Sequence, residues 1–117
     1  FVRASFYLNA IPQTSDAKLA VASVFSVIRN ASVPFGISSE AEPNISSTRW
    51  RSLADHKNLT YYFETALTPN VFWVDIRQVD FSAGQPARKL PLAQHQVYAG
   101  DALAQFKPAK PFVFAGL

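Results

Sequence analysis

His56 and His95 are the only imidazoles in the 117 residues, and each lies in its own loop-like stretch with no second ligand at metal-binding spacing. Both read as exposed turn histidines rather than zinc ligands or catalytic bases. Serines are plentiful, but none occupies a Gly-x-Ser-x-Gly elbow, and no glycine-rich loop could cradle a phosphate. Asp75 and Asp80 stand too far apart on a strand pattern to act as a carboxylate pair. The absence of Cys removes disulfides, thiolate metal sites and a Cys nucleophile from these residues. Asn30-Ala31-Ser32, Asn44-Ile45-Ser46 and Asn58-Leu59-Thr60 match the glycosylation triplet, but each falls where Asn and Ser are common anyway. Arg49, Arg51 and Lys57 around Trp50 come nearest to a basic cluster. Positions 49 and 51 share one face of a strand, and a solvated face is the plainer reading. No catalytic, cofactor-binding or metal-ligating residue is assigned.

Residues of this kind need a body to hold them, and the composition is that of a packed one. With 49% hydrophobic and 14% aromatic residues, a chain of this length can bury roughly two-thirds of its unfolded surface. The 11 basic and 8 acidic side chains are spread singly along the sequence, without the clustering expected of a nucleic-acid or membrane partner. No apolar run reaches the length of a membrane span.

The elements read in order. Phe1 to Ala10 repeats apolar residues around successive turns but has no N-cap, no acidic first turn and no initiator Met. It reads as a helix entered in mid-course, in a chain that begins further upstream. Pro12 ends it. A second helix begins at Ser15 as N-cap, with Asp16 in its first turn and Val21, Val24, Phe25 and Ile28 on the buried stripe. It runs to about Asn30 and is closed by Val33-Pro34-Phe35-Gly36.

Three strand-like runs follow, Thr48 to Asp55, Leu59 to Ala66 and Val71 to Val79, joined by short turns. In the first, Trp50, Ser52 and Ala54 face one way and Arg49, Arg51, Leu53 and Asp55 the other. Both faces of the meander carry bulk, which predicts a sheet covered on both sides. Beyond Asp80 the pattern weakens to a loop from Ser82 to Gln96, one or two helical turns near Asp101, an extended Lys107 to Pro111, and Phe112-Val113-Phe114 as a short strand or docking tail.

Phe1-Val2-Arg3-Ala4, Val24-Phe25-Ser26-Val27-Ile28 leading to Val33-Pro34-Phe35-Gly36, Thr48-Arg49-Trp50, Tyr61-Tyr62-Phe63 and Asn70-Val71-Phe72-Trp73-Val74-Asp75 together resemble the C-terminal third of the choloylglycine hydrolase family. That family of linear amide C-N hydrolases includes penicillin V acylases and bile salt hydrolases. The resemblance runs from Phe1 to about Asp80. It implies an α+β fold, part of an Ntn-hydrolase αββα sandwich, with residues 1–117 forming the C-terminal portion of one domain (helices 1–33, meander 48–79, tail 80–117).

It also implies catalysis by an N-terminal Cys upstream of this chain, its free α-amino group acting as the base, with no cofactor. The family's last catalytic Arg would immediately precede Phe1, and Arg3 matches a second, structural Arg of the same motif. The 117 residues alone would then be inactive scaffold, partnered by the upstream part of the same protein. Trp50 and Tyr61 to Phe63 would be core packing rather than substrate contacts. The Arg49-Trp50 pair and the long tail are similar to the Gram-negative acylase branch. This similarity implies penicillin V or acyl-homoserine lactones as small-molecule amide substrates, a periplasmic or secreted location and a tetrameric homo-oligomer. An alternative reading is a non-catalytic β-rich binding module with Trp50, Tyr62 and Trp73 as an exposed aromatic platform.

Overall fold

The computed structural model describes residues 1–68, 70–92 and 96–115. Helix α1 spans Val2–Ala10 and stops at Ile11, whose backbone is extended just before Pro12. Helix α2 spans Ala17–Ala31. Its N-cap is Asp16 and not Ser15: Asp16 Oδ1 accepts from Lys18 N at 2.8 Å and Leu19 N at 3.1 Å, so two of the four free first-turn donors are satisfied by one carboxylate. Ser15 carries the chain into that turn.

On α2 the residues that become fully buried are Phe25 and Val27, while Val21, Val24 and Ile28 are half-buried. Phe25 and Val27 lie about 200° apart around a helix, so α2 is covered on two sides. It packs against both α1 and the first strand.

Strands β1 (Trp50–Asp55), β2 (Thr60–Thr65) and β3 (Phe72–Asp75) form the expected antiparallel meander. The β1–β2 turn is held by Asp55, whose Oδ1 accepts from Lys57 N and Asn58 N, both at 3.0 Å, and it places Leu59 in the left-handed region at φ 51. The third strand ends earlier than its apolar alternation predicts. Asp75 accepts from Arg77 N at 3.0 Å and starts a 3-10 turn over Ile76–Gln78, turning the chain away before Val79 can pair.

The tail is more ordered than its composition suggests. Gly100–Asp101 forms β5, parallel to β3 with Phe72 opposite Gly100, which makes the sheet four-stranded in the order β1-β2-β3-β5. Arg88–Lys89 (β4) pairs with Lys107–Pro108 (β6) in a separate two-stranded ladder. Asp101 Oδ1 accepts from Leu103 N at 2.9 Å and opens the 3-10 turn Leu103–Gln105.

Pleating assigns the faces. Thr60, Tyr62 and Glu64 look toward α2, where the Phe25 and Tyr62 rings meet edge to face at 6.4 Å. Tyr61, Phe63, Phe72 and Val74 look the other way, and the tail covers only the β3 side of that face, with Tyr98 against Phe72 at 5.6 Å. The β1 side stays open, contrary to the expectation of a sheet covered on both faces: Trp50 is 58% and Tyr61 41% exposed, although Trp50 stacks on Phe63 at 5.5 Å.

The fully buried apolar set among the described residues is small: Phe25, Val27, Phe72, Val74 and Ala102. The chain exposes 9162 Å², against roughly 6,300 Å² for a free-standing folded protein of its mass. Its radius of gyration is 16.9 Å, against about 13 Å for a compact chain of this length. The surplus surface is of the size that permanent partners bury between them.

Because Asp16 carries the only side-chain cap on either helix among the described residues, Asp16→Ala should lower stability by about 1 kcal/mol in urea unfolding. Asp16→Asn should recover most of the loss.

Candidate functional site

One acidic side chain is fully buried among the described residues: Glu64, at 3% exposure in the middle of β2. Two arginines reach it from different elements. Arg29, in the last turn of α2, approaches bidentately, with Nε 3.2 Å from Oε1 and Nη2 2.5 Å from Oε2. Arg51, directly across the β1–β2 ladder, donates from Nη1 to Oε1 at 3.1 Å and from Nε to Ser32 Oγ at 2.7 Å. The Arg29 guanidinium also lies 5.4 Å from the centroid of the Phe25 ring.

Burial alone would raise the Glu64 carboxyl pKa. The Arg29 hydrogen bonds and the charges of Arg29 and Arg51 outweigh burial and hold it below the usual carboxylate value. Arg29 is pushed up in turn, chiefly by its hydrogen bond to Glu64.

The end of α2 is thereby a junction. Arg29 and Ser32 grip the sheet, while the Asn30 carbonyl accepts from Arg3 Nη1 of α1 at 3.1 Å. Val33 N donates to Thr48 Oγ1 at 3.0 Å, and Thr48 N donates to Val33 O at 3.1 Å, which fixes the entry to β1. Chemically this is a locked ion cluster. Its carboxylate accepts three hydrogen bonds from the two guanidiniums and is held ionised, so it has no proton to donate.

The residues singled out from sequence do not converge on it, Arg51 excepted. His56 sits exposed in the β1–β2 turn, and His95 lies outside the described residues. Asp75 is occupied by Arg77, whose hydrogen bonds hold its carboxyl well below the usual range, and Asp80 accepts from Ser82 N at 2.9 Å. Among the described residues no three His, Cys, Asp or Glu side chains gather at metal-binding distance. Asn30 and Asn58 of the glycosylation triplets spend their side-chain amides on Ser26 O and Asp55 Oδ2.

Arg51 corrects the reading of a solvated strand face: its side chain is 19% exposed and ion-paired, whereas Arg49 is exposed and lies over the Phe35 ring at 6.0 Å. Glu64 was not singled out from the sequence at all. Its signal was a lone carboxylate inside Thr60-Tyr61-Tyr62-Phe63-Glu64-Thr65, opposite Arg51 once the hairpin closes at Asp55 and Thr60.

Two grooves flank the sheet. One, of about 560 Å³, lies between α2 and β3, floored by Phe25, Tyr62 and Trp73 and edged by Lys18, Asp75 and Asp101. The other, of about 590 Å³, lies on the opposite face between Tyr61, Val74, Phe81, Arg88 and Phe106. Neither contains a nucleophile next to a base. Tyr62 and Trp73 are half-buried and only Trp50 of the three platform aromatics is exposed, which does not favour a binding platform.

Comparison with known proteins places this geometry. The model of the linear amide C-N hydrolases, choloylglycine hydrolase family, matches residues 1–88. The chain belongs to the choloylglycine hydrolase family. It is 48% identical over 132 aligned residues to a penicillin V acylase of Pectobacterium atrosepticum, an alignment that covers 100% of this chain and 35% of that protein. The solved structure of the penicillin V acylase from Agrobacterium tumefaciens superposes with a TM-score of 0.88 at 56% identity, covering 100% of this chain and 38% of that one. The choloylglycine hydrolase segment described here therefore spans little more than a third of the length of these relatives, and its two helices and antiparallel-rich sheet have the same α+β fold as the corresponding part of the solved acylase.

Glu64→Gln removes the charge that both arginines need. The expected loss is roughly 2 kcal/mol, below the 3–5 typical of a buried pair because Arg29 is half in water. Since the folded carboxyl titrates below its unfolded value, its stabilisation is complete above about pH 4.3 and fades as the pH falls through the folded value. Urea unfolding across that window should show a flatter acid limb for Glu64→Gln than for the unaltered protein.

Proposed function

We propose that these residues are the C-terminal scaffold of a linear amide C-N hydrolase of the penicillin V acylase type, an Ntn hydrolase whose nucleophile is an N-terminal Cys upstream of Phe1. The observation that carries the reading is the 48–56% identity to two penicillin V acylases along the whole of this chain. The exposed surface supports it. Trp50, Tyr61 and Phe81 line the side of the sheet that α2 does not cover, where a second sheet would complete an αββα sandwich.

In this reading the thiolate attacks the amide carbonyl and the α-amino group of the same Cys takes up and returns the proton. Donors on the upstream part hold the oxyanion. The contribution of the present residues is positional. The Arg29–Glu64–Arg51 cluster fixes α2 to the sheet and Arg3 fixes α1 to α2, so the polypeptide entering at Phe1 is delivered in one orientation. Penicillin V and acyl-homoserine lactones are the proposed substrates, and the working protein is a periplasmic or secreted homo-oligomer, a tetramer by family likeness.

The complete protein should begin with Cys on N-terminal sequencing and release a free amine from penicillin V. Cys→Ala at that terminus should abolish release. Residues 1–117 expressed alone should be inactive and aggregate. Full activity from the 117 residues, or a complete protein with another first residue and undiminished activity, would overturn the reading.

A further inference from the structure

We draw no further inference here: the strongest candidate, the apolar groove of about 560 Å³ between α2 and β3 floored by Phe25, Tyr62 and Trp73, lies on a chain that spans little more than a third of the length of its relatives, and nothing in the structure shows what covers it.

Discussion

The structure depends on one buried carboxylate. Glu64 lies in the most aromatic strand of the chain, where an unpaired charge would be costly, and it is stable there because two guanidiniums from separate elements close on it. Remove the carboxylate and the last turn of α2, β1 and β2 lose their common tie. The ring contacts around it, Phe25 on Tyr62 and the Arg29 guanidinium over Phe25, hold the layers together without fixing their register as hydrogen bonds do.

A cluster of this kind trades strength for orientation. Apolar side chains of the same volume could have filled the site, and such replacements are often neutral or better for stability. What they lack is the bidentate fork of Arg29 and the cross-strand reach of Arg51, which permit one placement of helix on sheet. With so small a buried apolar set, that direction has to come from polar contacts. The chain is therefore well oriented locally while much of its apolar surface remains uncovered.

The helices and the first two strands were legible in the sequence because their signals are local: Pro12, Pro34 and Gly36 as stops, and aromatic and β-branched density in Leu59 to Thr65. The family was legible through short motifs in a fixed order. What could not be read were effects that need two distant segments at once. Glu64 becomes interpretable only with the hairpin register that sets it opposite Arg51. The third strand stops at Asp75 because a side chain competes with the ladder, a choice invisible to alternation. The fourth strand is two residues borrowed from the tail, too short to leave a pattern. Asp16 outcompeted Ser15 as N-cap through geometry that composition does not carry.

The open aromatic flank around Trp50 and Tyr61 has a consequence for biosynthesis. In the proposed complete protein the covering sheet is translated first and has already left the ribosome when Trp50 emerges. The greasy flank thus meets a waiting template rather than another nascent chain. In that proposed protein gene order would act as its own chaperone, and swapping the two parts by circular permutation would remove that protection while leaving every native contact possible.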